Sequence, residues 1–332
     1  MKLLITGGCG FIGSNFIKYL SEKTDFKIIN LDLGEGHYAG KGKNLEHMGL
    51  NKNYSFVQGD ISNYKFVEQI FKKNNIDAVV NFAAESHVDR SINNDYPFMK
   101  ANLDGARVLL NIAKNHWGLE KFVQVSTDEV YGSLSENAKS SEENDLLKPS
   151  SAYSASKAGA EQWALAVFRT FGLPVCVTRS SNNYGPYQHP EKLIPLFITN
   201  LIEGEKVPVY GTGENIRDWI HVEDNCKGIF KVLTDGKQGE IYNISGGNEK
   251  SNLEITKIIL KELGFGEKMI EFVEDRKGHD LRYSLGCDKI KRELGWEPKI
   301  DFADGIKQTI EWYKKNENWW KRLKCKKKKF WF

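Results

Sequence analysis

Short apolar runs alternate with segments of helical spacing through the first half of this 332-residue chain. Runs of about four to eight apolar residues are typical of buried strands. They predict strands at 2–6, 27–32, 54–60, 77–84, 122–126 and 174–178. Apolar residues three and four positions apart predict helices at 11–21, 67–73, 97–115 and 151–171. Because helices separate the strands, the pattern predicts an α/β fold with a parallel, doubly wound sheet.

The second half of the chain is less regular. Short strands are predicted at 207–210, 218–221 and 240–244. Helices are predicted at 194–204, 222–234, 252–263, 287–294 and 302–316. We therefore expect residues 1–180 to form a first domain built on the sheet, to which 214–243 returns. Residues 181–213 and 244–320 are then expected to form a smaller C-terminal domain that binds a substrate.

Basic residues are concentrated at the end of the chain. The formal net charge of +3 falls to −4 when 321–329, with seven basic and no acidic residues, is left out. Because like charges repel each other, 321–332 is predicted to be a solvated basic tail. Its charges and its aromatic ending, 330–332, could instead contact an anionic membrane surface or a nucleic acid. No feature of the preceding chain predicts nucleic-acid binding.

Composition and cysteine usage point to the cytoplasm. A hydrophobic content of 40% and a charged content of 27% are ordinary for a soluble globular protein. No apolar run approaches the roughly 20 residues of a membrane span. The apolar start of the chain reaches a glycine-rich turn at Gly7, so a secretory signal is not expected. The five cysteines are scattered and form no CxxC pair, which predicts reduced thiols and no metal site.

A glycine-rich turn, residues 7–13 with the pattern GxxGxxG, follows the first predicted strand and opens the first predicted helix. Its glycines allow the backbone to approach a pyrophosphate, and the helix N-terminus offers free N–H groups. Asp32 ends the second predicted strand, where a carboxylate can accept hydrogen bonds from ribose hydroxyls and repels a 2′-phosphate. The pattern therefore predicts a Rossmann-like domain that binds NAD in preference to NADP. The residues expected along the cofactor are Gly7, Gly10, Phe11, Ile12, Gly13, Asp32, Asp60, Ile61, Ala83 and Ala84.

Five further residues suggest acid and base chemistry. Thr127, Asp128 and Glu129 close a buried strand, and Tyr153 and Lys157 share one helix face at a spacing of four. The pKa of a free tyrosine is about 10, and a nearby ammonium lowers it by favouring the phenolate. Lys157 can also hold a cofactor ribose hydroxyl, so both helix residues are expected to contact the cofactor. With the dinucleotide turn, this set predicts a dehydrogenase that also eliminates water.

Together these features resemble the extended short-chain dehydrogenase/reductase family, and the resemblance covers nearly the whole chain. Longer motifs resemble its dTDP-glucose 4,6-dehydratase branch. They are AAESHVDRSI (83–92), STDEVYG (126–132), YSASKA (153–158), RSSNNYGPYQ (179–188), PEKLIP (190–195) and RDWIHVEDN (217–225). Sugar-nucleotide epimerases share the scaffold, but the Asp-Glu pair after the strand-end threonine is typical of the dehydratases.

The resemblance implies dehydration of dTDP-glucose to dTDP-4-keto-6-deoxyglucose with tightly bound NAD. Tyr153 would take the C4 hydroxyl proton as hydride leaves C4, and Thr127 would hydrogen-bond the C4 oxygen. Glu129 would then remove the C5 proton, Asp128 would protonate the departing C6 hydroxyl, and hydride would return to C6. Opposite protonation of two adjacent carboxylates requires environments that separate their pKa values.

The resemblance also implies a substrate site and a homodimer. The implied substrate contacts are Glu85, Ser86, Thr127, Asn182, Glu191, Lys192, Leu193, Pro208, Tyr210, Arg217, Asn252, Arg276 and His279. Among them Arg217 would clamp the pyrophosphate, because a planar guanidinium can bind two phosphates. Pro208 and Tyr210 would line the base and deoxyribose. Helices at 97–115 and 151–171 would pair with a second copy into a four-helix bundle.

Two departures from the family and three alternative functions stay open. The loop 33–44 is longer than usual and contains His37, and Ala101 replaces a threonine before Asn102. A 4-epimerase would need no acid–base pair beyond Tyr153. A 4,6-dehydratase for UDP-glucose or another nucleotide sugar would share nearly every motif. A non-catalytic NAD-sensing scaffold would not require the full set of acid and base residues.

Overall fold

A parallel sheet of seven strands forms the centre of the protein. The computed structural model describes residues 1–36 and 42–327, with side chains up to 324. In chain order the strands are β1 (Lys2–Thr6), β2 (Lys27–Asp32), β3 (Tyr54–Gln58), β4 (Ala78–Asn81), β5 (Lys121–Thr127), β6 (Val175–Ser180), β7 (Asn182–Tyr184), β8 (Val207–Tyr210), β9 (Ile216–His221), β10 (Ile241–Ile244), β11 (Glu249–Ser251) and β12 (Ile270–Val273). The central sheet has the order β3-β2-β1-β4-β5-β6-β10, and every pairing in it is parallel.

Helices cover both faces of this sheet. They are α1 (Phe11–Lys23), α2 (Tyr64–Lys73), α3 (Val88–Asn93), α4 (Tyr96–Phe98), α5 (Gly105–Ala113), α6 (Ala152–Phe171), α7 (Leu193–Ile202), α8 (Val222–Asp235), α9 (Asn252–Leu263), α10 (Asp288–Leu294), α11 (Phe302–Lys315) and α12 (Glu317–Lys327). On one face α1 packs with α8, and on the other α2, α5 and α6 pack together. None of the described helices is long and apolar enough to cross a bilayer.

The predicted fold class is confirmed, and the predicted strands and helices are present with ends that move by a few residues. The predicted helix 97–115 is interrupted by a π-helical turn, Met99–Asp104, between α4 and α5. The strands β7, β11 and β12 and the helices α3 and α12 were not predicted from the sequence. β7 and β11 have only three residues each and are largely polar, so they carry no apolar alternation.

The end of the chain differs from its prediction. The segment 321–332 was expected to be a solvated tail, but helix α12 continues through Lys327. Trp320 is fully buried, and Lys324 Nζ lies 2.5 Å from Glu203 Oε2. The buried Trp320 just before the segment and an acidic partner elsewhere in the fold therefore outweigh the repulsion among the basic residues. Residues 328–332 lie outside the described residues.

The second half of the chain adds elements to the central sheet and also forms two smaller sheets with their own apolar core. Strand β10 adds to the edge of the central sheet beside β6, and α8 packs against β5 and β6. Strand β9 instead pairs with β7 and β11 in a separate sheet, and β8 pairs with β12. Helices α7, α9 and α11 form their own apolar core next to these smaller sheets. Of the segment 214–243, α8 and β10 thus join the layers of the central sheet, while the domain boundaries themselves stay a prediction.

Candidate active site

The glycine-rich turn between β1 and α1 lines a cavity at the carboxyl end of the central sheet, termed here the first cavity. Gly7 has a φ of +70°, and a Cβ there would lie 2.5 Å from the backbone nitrogen of Ala83. A Cβ on Gly13 would lie 2.4 Å from the carbonyl oxygen of Gly7. Helix α1 begins at Phe11 without a side-chain cap in the described structure, so its first N–H groups are available to an anion. The turn fits a pyrophosphate.

Asp32 ends β2 beside this turn and is buried. Its Oδ2 accepts a hydrogen bond from the Cys9 backbone N–H at 2.9 Å, and its Oδ1 accepts one from the Gly34 N–H at 2.7 Å. The carboxylate is therefore held in one orientation on the wall of the first cavity. A fixed negative charge at this position suits ribose hydroxyls and disfavours a 2′-phosphate.

The first cavity brings together the residues that the sequence predicted along the cofactor. Its lining includes Gly7, Gly10, Phe11, Ile12, Gly13, Asp32, Asp60, Ile61, Ala83, Ala84, Tyr153 and Lys157. The long loop after β2 contributes Leu33 and Asn44 to the same wall. His37, the added residue of that loop, lies outside the described residues. The glycine cradle, the helix start and the anchored carboxylate together fit a dinucleotide.

Thr127, the last residue of β5, organises the two carboxylates that follow it. Its hydroxyl donates to Asp128 Oδ1 at 3.1 Å and accepts from the Glu129 backbone N–H at 3.3 Å. The chain then makes a 3₁₀ turn, Asp128–Tyr131, that ends at Gly132 with a φ of +79°. A Cβ on Gly132 would lie 2.2 Å from the carbonyl oxygen of Lys148, so the sharp turn requires glycine. Both carboxylates thereby project from the end of a buried strand.

The two carboxyl groups lie in different electrostatic surroundings. Burial and, to a smaller extent, the neighbouring Glu129 carboxylate raise the pKa of Asp128 to about 8. Burial also raises the pKa of Glu129, but the cations Arg276, Arg217 and Lys192 oppose this effect. Asp128 Oδ2 has no hydrogen-bond partner among the described residues. The arrangement favours a protonated Asp128 beside a Glu129 that can lose its proton, as an acid and a base require.

Tyr153 and Lys157 lie on the first turns of α6, whose start is fixed by a capping box between Ser151 and Ser154. The sequence predicted that Lys157 lowers the pKa of Tyr153, and the structure gives the opposite direction. Burial and the Glu129 carboxylate raise the pKa of Tyr153, against a smaller effect of its hydrogen bond with Thr127.

Lys157 has a structural partner that its sequence position could not indicate. Its Nζ donates to the carbonyl oxygen of Val125 at 2.6 Å, so the ammonium is fixed against the backbone of β5. Burial, partly offset by the Glu161 carboxylate, lowers the pKa of Lys157 to about 8. The two side chains lie together on the first cavity as predicted.

The π-helical turn between α4 and α5 places Asn102 under the same wall. Asn102 Oδ1 accepts from the Glu85 backbone N–H at 2.8 Å, and its Nδ2 donates to Ser156 Oγ at 2.8 Å. The loop after β4 is thereby tied to α6 at the residue before Lys157. π-helical turns are often found at functional sites because the extra residue redirects a side chain. Ala101, the departure from the family pattern, lines the first cavity.

A second cavity adjoins the first, and both are lined by Glu129, Asn182, Asn183, Gln188, Glu191 and Lys192. It collects most of the residues predicted to bind substrate, namely Asn182, Glu191, Lys192, Leu193, Pro208, Tyr210, Arg217, Asn252, Arg276 and His279. The predicted residues Glu85, Ser86 and Thr127 line the first cavity instead. Lys192 Nζ joins the two walls by donating to the Ser86 carbonyl oxygen at 2.8 Å.

Two guanidinium groups face the second cavity. Arg217 donates to the Ile216 carbonyl oxygen at 2.7 Å and to the Asp280 carbonyl oxygen at 3.0 Å, and it lies 4.4 Å from the centre of the Tyr283 ring. Burial lowers the pKa of Arg217, although the group stays a cation at neutral pH. In the part of the chain that the structure describes, Arg276 Nε has no hydrogen-bond partner. A buried and a partly buried cation in one cavity suit a diphosphate.

Comparison with known proteins agrees with this geometry. The sequence model of the family described as GDP-mannose 4,6 dehydratase matches residues 4–309. A dTDP-glucose 4,6-dehydratase of Streptomyces niveus is 48% identical over 329 residues, which cover 98% of this chain and 96% of the relative. The chain belongs to the dTDP-glucose 4,6-dehydratase family.

Solved structures of enzymes with different activities share the fold of this dehydratase-family chain. The dTDP-glucose 4,6-dehydratase DesIV of Streptomyces venezuelae, solved with NAD bound, is 48% identical with a TM-score of 0.93, covering 97% of this chain and 100% of that one. A UDP-glucose 4-epimerase of Thermotoga maritima is 30% identical with a TM-score of 0.88, covering 96% and 100%. Because both enzymes share the fold, the fold alone does not distinguish a dehydratase from an epimerase.

Several residues that line the two cavities of the dehydratase-family site were not predicted from the sequence. They are Asn44, Ser126, Ser180, Ser181, Asn183, Tyr187, Gln188, His189 and Trp319 in the first cavity, and His87, Asp89, Trp219 and Tyr283 in the second. Most fall inside the quoted motifs, where each neighbour of an assigned residue was a reasonable candidate. Trp319 had no such signal, because it lies near the end of the chain, far from every motif.

Proposed function

We propose that the chain converts dTDP-glucose to dTDP-4-keto-6-deoxyglucose by oxidising C4, eliminating water across C5 and C6, and returning hydride to C6. The observation that carries this proposal is the pair Asp128 and Glu129, which share one strand end but lie in surroundings of different charge. Relatives at 48% identity carry the corresponding name, and DesIV was solved with NAD. NAD supplies the hydride acceptor and donor, and its positive oxidised ring favours the phenolate form of a neighbouring tyrosine.

In the first step, the oxidation of C4, the acting residues are Thr127 at the end of β5 and the pair Tyr153 and Lys157 on α6. Tyr153 accepts the proton of the C4 hydroxyl, and Thr127, which already bonds the phenol, holds the C4 oxygen. Lys157 holds a ribose hydroxyl of the cofactor while the Val125 carbonyl fixes its position.

In the second step, the elimination of water, the acting residues are the carboxyl groups of Asp128 and Glu129. The 4-keto group makes the C5 proton acidic, and Glu129 removes it; Glu129 returns this proton to C5 when hydride is added at C6. Asp128, protonated near neutral pH because burial raises its pKa to about 8, gives a proton to the departing C6 hydroxyl. The cations Arg217, Arg276 and Lys192 near Glu129 also suit the diphosphate of the substrate, so substrate binding and base strength depend on the same charges.

The proposed reaction is redox-neutral, which makes it testable with the purified protein. We expect dTDP-glucose to give a 4-keto-6-deoxy product with no net NADH accumulating and little need for added NAD. Product would be identified by mass spectrometry and by the absorbance of the 4-keto sugar in base. Stoichiometric NADH release would show a simple dehydrogenase, and formation of UDP-galactose from UDP-glucose would show a 4-epimerase. Parallel incubation with UDP-glucose tests the choice of nucleotide base.

We also propose a homodimer formed through a paired-helix face made by Tyr96, Met99 and Trp163. Tyr96 is 67% exposed, Met99 is 55% exposed and Trp163 is 44% exposed, an unusual group of large apolar side chains at the surface. They lie on the helices 96–113 and on α6, which pack together through Leu103 and Gly159. A second copy would cover these side chains in a four-helix arrangement.

Trp163→Lys is expected to shift the protein from dimer to monomer, because a charge cannot be buried unpaired in an apolar interface. The mass in solution would be measured by light scattering after gel filtration. The control is Trp117→Lys, since Trp117 is 99% exposed in the loop after α5. A dimer that survives the first substitution, or a wild type that is monomeric, would contradict the proposed interface.

We propose the cytoplasm as the location of the enzyme. Support comes from the described cysteines Cys9, Cys176, Cys226 and Cys287, which are free thiols, as expected in a reducing compartment.

A further inference from the structure

The C-terminal helix α12 reaches back to the glycine-rich turn. Trp319 in this helix lines the first cavity together with Asn44 from the loop after β2. The indole N–H of Trp319 donates to Asn44 Oδ1 at 2.9 Å, and Asn44 Nδ2 donates to the Cys9 carbonyl oxygen at 3.0 Å. Asn44 is buried, so both of its hydrogen bonds are shielded from water. Two hydrogen bonds in series thus connect the end of the chain to the turn that fits the pyrophosphate.

An aromatic cluster forms the second contact between α12 and the first cavity. Between ring centres, Trp319 lies 5.8 Å from Tyr187 and 5.1 Å from Trp312. The ring centres of Tyr187 and Trp312 are 4.7 Å apart. Tyr187 also lines the first cavity, and within the described residues it is the only non-glycine with a positive φ, at 68°. A side chain keeps such a backbone conformation only when its surroundings hold it there. The cluster supplies those surroundings.

The helix that carries Trp319 is itself firmly docked. The neighbouring Trp320 is fully buried and donates its indole N–H to the Tyr313 carbonyl oxygen at 2.8 Å. Lys324 Nζ also lies 2.9 Å from Asn200 Oδ1 near the C-terminal end of α7, and it forms an ion pair with Glu203, the residue after that helix. These contacts dock α12 on α11 and α7, and they are separate from the hydrogen bond between Trp319 and Asn44.

We propose that Trp319 is a positioning residue for the cofactor, and that α12 acts as a clamp which holds Asn44 and Tyr187 over the dinucleotide and slows its release. The inference rests on the proposed function for the identity of the dinucleotide as NAD. A redox-neutral cycle needs the same NAD molecule from the first hydride transfer to the last. Loss of the reduced cofactor between the steps would leave the 4-keto sugar without a hydride donor. Slow release thus protects the reaction from stopping halfway.

The test measures how fast bound NAD exchanges with isotopically labelled NAD in the absence of substrate. Trp319→Phe keeps an aromatic ring but removes the N–H donor, and we expect it to speed exchange about fivefold, the effect of one lost hydrogen bond. Trp319→Ala also removes the ring and should speed exchange further. Asn44→Ala should match Trp319→Phe, and combining the two should add little, because both break the same connection.

The matched control is Trp320→Phe. It removes an indole N–H bond from the same helix, one residue away, but Trp320 packs in an apolar core and its N–H donates to Tyr313 instead of Asn44. We expect this variant to lower the melting temperature while leaving the exchange rate close to that of the wild type. Equal acceleration by Trp320→Phe and Trp319→Phe would overturn the direct role of Trp319.

The outcomes also separate this inference from the proposed function. A wild-type protein that turns over dTDP-glucose and retains NAD, with Trp319→Phe and Asn44→Ala variants that exchange NAD at the wild-type rate, would overturn the clamp and leave the dehydratase intact. A wild-type protein that holds no NAD would overturn both.

Discussion

Replacing Tyr153 with phenylalanine is expected to lower the turnover of dTDP-glucose by about 10²- to 10⁴-fold, the usual contribution of a positioned general base. Phenylalanine keeps the ring, which meets Phe98 edge-on at 6.4 Å, and removes only the hydroxyl that bonds Thr127. The loss should therefore fall on proton transfer and leave folding and cofactor content unchanged. Turnover, melting temperature and NAD released on denaturation would be measured on the same preparation.

The chain offers a matched control for this substitution. Tyr19 and Lys23 have the same spacing of four on α1, and the Tyr19 ring packs against Phe230 at 5.6 Å. Tyr19 is absent from the linings of both cavities in the described structure. We expect Tyr19→Phe to keep turnover within about twofold of the wild type, as surface substitutions usually do. A Tyr153→Phe variant with more than a tenth of wild-type turnover would rule out its role as the base.

Glu129→Gln is expected to stop the reaction after C4 has been oxidised. The amide keeps the shape of the side chain but cannot take the C5 proton, so overall turnover should fall by roughly 10²- to 10⁴-fold. Reduced nicotinamide should then accumulate on the protein after substrate is added, at up to one equivalent per active site, and its absorbance reports this. In deuterated water the C5 position of recovered sugar should stay unlabelled.

Asp128→Asn is the matched comparison for Glu129→Gln. Asp128 lies beside Glu129, and both substitutions replace a carboxyl group with an amide. The acid is needed only when the C6 hydroxyl leaves, so this variant should still exchange the C5 proton with deuterium while failing to eliminate water. The burial that raises the pKa of Asp128 is the reason for assigning it as the acid. If the two variants gave the same C5 labelling, the division into acid and base would be wrong.

The sequence predicted the parts of the site that lie at the ends of parallel strands. The glycine-rich turn, Asp32 and Thr127 each follow a strand of the same sheet, and the carboxyl ends of parallel strands meet at one edge. Their convergence on the first cavity therefore needed no information beyond the strand pattern. The helix spacing of Tyr153 and Lys157 likewise placed both residues on one cavity wall.

What the sequence could not predict depends on contacts between distant segments. The pKa of Tyr153 was expected to fall, yet burial and the Glu129 carboxylate raise it, and neither effect is visible in a spacing of residues. The contact between Trp319 and Asn44 joins positions 275 residues apart. The basic end of the chain was interpreted by its charge alone, although the burial of Trp320 decides that α12 docks.

The order in which the site is assembled follows from where β10 and α12 stand in the chain. A ribosome releases β1 to β6 first, yet the edge strand beside β6 is made only after β7, β8 and β9 have emerged. The wall that Trp319 adds to the first cavity emerges later still. A nascent chain therefore holds most of its dinucleotide site while one side stays open to solvent. Capture of the cofactor is expected to become durable only after Trp319 has emerged, so chains truncated before α12 should be released without it.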